Sequence, residues 1–161
     1  MELRHMDVTA RVSIAAPRER VWQALTGDVA AWWGAPYLLI DDHPAGEVLS
    51  LVAEPRVGTP VLETLGDRQA MWGVVNIVAP PSEFGWVGQM GMGGATNGEV
   101  RFTLEADGDT TLVTVRHRAI GYFGDAMETS YDYGWNDLLH RLSAHVVEGR
   151  NYGAAGLNRA P

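Results

Sequence analysis

Residues 125–149 read DAMETSYDYGWNDLLHRLSAHVVEG. Met127, Tyr131, Trp135, Leu138, Leu142 and Val146 recur at steps of three and four, the period of a helix with one apolar stripe. Asp125 and Glu128 form a D-x-x-E pattern close to a capping box, and Gly149 is placed to stop the helix soon after Val147. No other stretch has this period over such a length. A single long helix with a wide apolar face has to bury it, and the remaining chain offers a sheet. Six strands do not stay flat, so the sheet curls around the helix. The expected class is α+β: a curved antiparallel sheet of about six to seven strands wrapped around a long C-terminal helix.

Upstream, the pattern changes to alternation. In VTARVSIA, 8–15, Val8, Ala10, Val12 and Ile14 share one face, the mark of a half-buried strand. APRERVWQALTGD follows. Pro17 and Glu19 suit a helix start, Val21, Trp22 and Leu25 give its apolar stripe, and Gly27 ends it. Asp28 is placed to cap a second short helix, VAAWW, that stops at Gly34. Residues 35–46 read as loop, with Pro36, Pro44 and Gly46 as punctuation. Strands are expected at about 47–53, 60–65, 71–78 and 83–90, with a turn at Asp67–Arg68 and a firm stop at Pro80–Pro81. GMGGATNG, 91–98, reads as a flexible connection. Strands 100–106 and 111–117 flank the hairpin turn DGD at 107–109. Val113, Val115 and His117 share one face of the second, and Gly121 and Gly124 close it. One domain over 1–149 and a flexible tail over 150–161 follow from this order.

The 161 residues carry no cysteine and a formal charge of −8. Disulfides and thiolate chemistry are excluded. So acidic a chain has no footprint for nucleic acid and little attraction to anionic membranes. The N-terminus has no signal-peptide pattern and no span is apolar enough for a membrane, so a cytoplasmic protein is expected.

V-x-I-x-A-P-x-E-x-V-W-x-A-L-T, Val12 to Thr26, resembles the opening of the SRPBCC superfamily, also described as START-like or Bet v 1-like. The branch it resembles most is that of the activator of heat-shock protein 90 ATPase. The Trp33 region, the strand ending at Pro80–Pro81, T-x-V-x-V-x-H at 111–117 and GWNDLLHRL at 134–142 fit in the right order. The resemblance covers roughly residues 8–147. It implies a helix-grip fold with a cavity between the long helix and the sheet. Members bind lipids, hormones or polyketides, some cyclise aromatic polyketides, some assist chaperones, and a few protect producers from enediyne antibiotics. No shared catalytic motif comes with the family, so fold alone does not assign chemistry.

The aromatic residues suggest the ligand surface. Trp33, Trp72, Trp86, Met90, Phe102, Val115, His117, Met127, Tyr131, Trp135 and Leu138 are expected to line it. On this helix stripe, core packing and cavity wall are the same surface. Being adjacent, Trp32 and Trp33 are not both expected to face inward. Of Trp72 and Trp86, on neighbouring strands, at least one is expected at the cavity or partly exposed. A glycine inside the helix, Gly134, costs about 1 kcal/mol against alanine, and a close approach to the sheet would explain it. Parity turns His117 toward the concave face, where an imidazole could bond a ligand carbonyl or move a proton. It is the one catalytic candidate. Arg116 and Arg118 face away. Glu63 and Asn76 reach inward only if register allows, and a buried carboxylate needs partners. Asp41, Asp42 and His43 read as a solvated loop rather than a metal site, and no cofactor is expected.

Three functions are compatible with this surface. The first is a binding module for a small apolar or aromatic molecule. The second is a metal-independent cyclase, lyase or isomerase on a polyketide-like substrate, with His117 as acid–base. The third is a chaperone-linked or antibiotic-sequestering role, which an exposed apolar patch at Trp32 and Trp33 would support.

Overall fold

The computed structural model describes residues 2–40 and 49–152. The elements run β1 (Arg4–Ile14), α1 (Arg18–Gly27), α2 (Val29–Trp32), β2 (Leu49–Ala53), β3 (Pro60–Leu65), β4 (Arg68–Ala79), β5 (Glu83–Gly88), β6 (Asn97–Asp107), β7 (Thr110–Gly121) and α3 (Met127–Glu148). All strands join one antiparallel seven-stranded sheet in the order β1-β7-β6-β5-β4-β3-β2. The long hairpins are adjacent in sequence, and β1 closes against the last strand. The sheet therefore curls around α3, as the lone amphipathic helix requires. This is the α+β helix-grip architecture.

Alternation fixes which side chains meet the helix. On β7, Thr111, Val113, Val115, His117, Ala119 and Gly121 are buried, and the residues between them are not. Met6, Val8, Ala10 and Ile14 do the same on β1. On the outer face Arg116 pairs with Asp7 and Arg118 with Glu99, exposed cross-strand pairs that contribute little to stability. These bonds hold the carboxyls of Asp7 and Glu99 below the usual carboxylate range. Strand ends extend past the expected limits: β1 begins at Arg4, and β7 continues to Gly121. β5 stops at Gly88, so Met90 lies beyond the strand.

Two expected caps do not form. Neither Asp28 at α2 nor the Asp125–Glu128 pattern at α3 supplies a side-chain cap. The Asp28 and Asp125 carboxylates go to partners far off in the chain. Asp125 pairs with Arg4 at 2.5 Å, and Asp28 with His145 at 3.1 Å. Gly149 does end α3, in the left-handed conformation at φ 71°. The start of the expected flexible tail folds back, because the Tyr152 amide donates to the Ala31 carbonyl. The rest of that tail, the loop carrying Asp41, Asp42 and His43, and residues 47–48 lie outside the described residues. Among the described residues no helix is long and apolar enough to cross a membrane, and no His/Cys/Asp/Glu group could hold a metal ion.

Candidate functional site

The concave face is an aromatic layer with Trp33 at its centre. The Trp33 ring meets Trp32 at 5.7 Å, Trp72 at 5.0 Å, Trp86 at 6.2 Å and Trp135 at 5.6 Å between centroids. These edge and tilted arrangements suit the ring quadrupoles. Trp32 and Trp33 are both fully buried, at 1% and 2% exposure, which corrects the expectation that only one turns in. The helix ends at Trp32, and Trp33 is already extended at φ −100°, ψ 118°. The two side chains thus leave the backbone under different geometries, and helical spacing no longer separates them. No exposed patch at these residues supports a protein-docking role.

Against this layer lies a pocket of about 240 Å³. Trp33, Trp72, Met90, Tyr131, Trp135 and Leu138 line it, with Pro36, Tyr37, Leu38, Leu39, Gly91, Ser130 and Gly134. Trp86, Phe102, Val115 and His117 are fully buried in the layer behind, and Met127 is half-buried at the start of α3, packed on the core. The wall from Pro36 to Leu39 was read from sequence only as loop. Its signal was the apolar run YLLI at 37–40, too dense for a solvated connection.

The polar tips of the wall are bonded within the protein. Trp33 Nε1 donates to the Tyr37 carbonyl at 2.6 Å, Trp72 Nε1 to Glu63 Oε1 at 3.1 Å and Trp135 Nε1 to His117 Nδ1 at 3.1 Å. Tyr131 donates its hydroxyl to the Met90 carbonyl, and Tyr37 to Asp137 Oδ2 at 2.7 Å. Burial pushes the Tyr131 phenol up to about 12. Burial, and after it the Asp137 hydrogen bond, raises the Tyr37 phenol well above its ordinary value. Both stay neutral donors at physiological pH.

Two buried polar side chains hold the loop wall. Glu63 is wholly buried and accepts from the Leu39 and Ile40 amides, at 2.9 and 2.6 Å, besides Trp72. Its register does point it inward, whereas Asn76 is exposed on the other face. Arg141, also buried, donates to the Ala35 carbonyl at 3.1 Å and pairs with Asp137 at 3.3 Å. Its guanidinium lies 5.1 Å from the ring centroids of both Tyr37 and Tyr152, a cation–π arrangement. Gly134 belongs to this clamp. A Cβ there would meet Tyr37 Cε1 at 3.4 Å, ordinary van der Waals contact with the loop, so the expected close approach to the sheet is not made and does not account for the glycine.

His117 has no solvent exposure. Burial pulls its pKa down from 6.5 to about 4, so the ring is neutral at pH 7. An indole N–H only donates, so Nδ1 must accept, and the neutral ring carries its proton on Nε2. The depressed value makes a pH prediction. Below about 6.5 the unfolded chain takes up a proton that the folded chain refuses until about pH 4. The contribution is therefore intact above 6.5 and lost as pH falls through that window, about 2 kcal/mol between pH 7 and pH 5. Urea midpoints at the two pH values should show this slope in the wild type and a flatter one in His117→Phe. Equal slopes would place the titration elsewhere.

The sequence matches the family model for activator of Hsp90 ATPase homolog 1-like protein over residues 15–147. No curated protein sequence matches the chain. Among solved structures, DynU16, a protein of the dynemicin biosynthetic locus, superposes with TM-score 0.68 at 24% identity. The match covers 91% of this chain and 49% of DynU16, so the chain spans about half that protein's length. The Aha1 dimer from Colwellia psychrerythraea gives TM-score 0.61 at 22% identity, covering 88% of this chain and 96% of that one. CalU16 from Micromonospora echinospora gives 0.56 at 19%, covering 91% and 83%. At these identities the structures are alike in fold alone.

Proposed function

This chain belongs to the family of activator of Hsp90 ATPase homolog 1-like proteins, and from that premise we propose that it binds a small, uncharged aromatic or apolar molecule. The observation that carries this reading is the pocket wall. Trp33, Trp72, Tyr131 and Trp135 present ring surface, while their N–H and O–H groups are bonded away into the protein. A charged ligand entering here would lose water and gain no ionic partner from the wall, a cost of several kcal/mol. A flat neutral molecule would lose nothing polar and gain ring contacts. The cyclase reading places a reactive group beside His117, and Tyr131 and Trp135 stand between that residue and the pocket.

Titration with fluorene, a flat neutral hydrocarbon, should quench tryptophan emission and raise the melting temperature with dose. At 100 times the dissociation constant the added stability is about 2.7 kcal/mol, worth several degrees in a domain of this size. A naphthalenesulfonate should do neither. Ser130 stands exposed at the rim. Ser130→Phe should remove the response and leave the unliganded melting temperature unchanged. No response to any neutral aromatic, or an unaltered response in Ser130→Phe, defeats the assignment.

A further inference from the structure

Behind the pocket wall, His117 keeps one unanswered group. Nδ1 is satisfied by Trp135, and Nε2, which carries the proton, is buried with no hydrogen-bond partner in the protein. Such a donor is uncommon, because a buried polar group without a partner is destabilising by about 1–3 kcal/mol. Its neighbours on the strand's inner face, Val113, Val115 and Ala119, are buried and apolar, so the imidazole is the polar group among them. Two rings stand between the imidazole and the pocket, Trp135, tied to Nδ1, and Tyr131. Tyr131 packs edge-on against His117, centroids 5.0 Å apart, and its other side lines the pocket.

Tyr131 is held in that position by a single polar bond, to the carbonyl of Met90. The acceptor sits in an unusual piece of backbone. Met90, at φ 52°, is the only non-glycine with positive φ among the described residues, and Gly91 follows at 78°. A left-handed methionine is disfavoured by about 1–2 kcal/mol, so the segment holding the tyrosine is itself under strain. The pocket as it stands, about 240 Å³, is also below the range of about 300–1,000 Å³ usual for ligand sites. Turning Tyr131 aside would enlarge it and uncover the side of the imidazole that Tyr131 packs against.

Taking the pocket as a ligand site, we propose that Tyr131 is a gate and that His117 behind it donates Nε2–H to a carbonyl oxygen on the ligand. The ligand class narrows from any neutral aromatic to a flat aromatic ketone. The hydrogen bond answers a donor that is otherwise unpaired, so the ketone gains where simple apolar transfer would have it lose.

Fluorene and 9-fluorenone have nearly the same shape and differ by the carbonyl. With the full chain, fluorenone should bind about tenfold tighter, a change of about 1.4 kcal/mol that lies within what pairing a buried donor contributes. The His117 Nε2–H resonance, followed by ¹⁵N-edited spectra of the wild type, should shift with fluorenone and stay in place with fluorene. His117→Leu should bring the two affinities together, and the wild-type spectra keep the test open if that variant does not fold. If both compounds bind alike and the resonance does not move, the gate and donor are refuted while the binding pocket stands. If neither compound binds, the pocket reading falls, and this proposal with it.

Discussion

Replacing Glu63 by alanine should destabilise the fold by about 3–5 kcal/mol, much of the 5–15 kcal/mol that a domain of this size possesses. The Glu63 carboxylate accepts from three N–H donors: the amides of Leu39 and Ile40 and the indole of Trp72. Removing it takes the acceptor from all three. Each unpaired buried donor costs about 1–3 kcal/mol. Leu39 is half-buried, so water can answer its amide and the total stays below the sum. Glu63→Gln should fall between, at roughly 1–2 kcal/mol. Its carbonyl oxygen can serve the two donors that now share Oε1, while its amide nitrogen confronts the Ile40 N–H. Urea unfolding of the three proteins gives the ranking. A Glu63→Ala protein within about 1 kcal/mol of wild type would mean that water serves these donors as well as the carboxylate does.

The same residue marks where the sequence stops being legible. Period-two alternation placed Val113, Val115 and His117 on one face of β7, and that face is buried. Period 3.6 placed Tyr131, Trp135, Leu138 and Leu142 on the inner stripe of α3, where they pack. Periodicity reports a face, because side-chain direction repeats with the backbone. It does not report register across strands, and for Glu63 register decides everything. Nor does it report partners distant in the chain. Asp28 and Asp125 have the chemistry of helix caps, yet they bond His145 and Arg4, partners brought near only by folding. Arg141 lies outside the apolar stripe, and its pattern carries no sign of burial. Its burial depends on Tyr37 and Tyr152, residues that reach α3 from opposite directions along the chain. The pocket inherits this division. Its helix and strand walls were readable from pattern, and its loop wall, held by Glu63 and Arg141, was not.

Trp33→Ala should cost about 3–5 kcal/mol, the usual range for emptying a buried aromatic site. The loss is expected near the top of that range, since Trp33 joins four other rings and binds the Tyr37 carbonyl that shapes the loop. Trp22 offers the internal comparison. It lies on α1 and meets one ring, Phe84, at 5.9 Å, so Trp22→Ala should be the milder change. The void left by Trp33 opens directly into the pocket, because its ring is part of the wall. A cavity lined by apolar side chains gains stability from an apolar guest. Fluorene should therefore raise the melting temperature of Trp33→Ala by more degrees than that of wild type, recovering part of the loss. Trp33→Phe, which keeps a ring and a smaller void, should lie between them on both measures. Calorimetry with and without the ligand tests the two effects together. A variant that is destabilised but gains nothing extra from the guest would show that the loop collapses into the space. Trp33 would then be core, and the pocket would owe its shape to Trp72 and Trp135 instead.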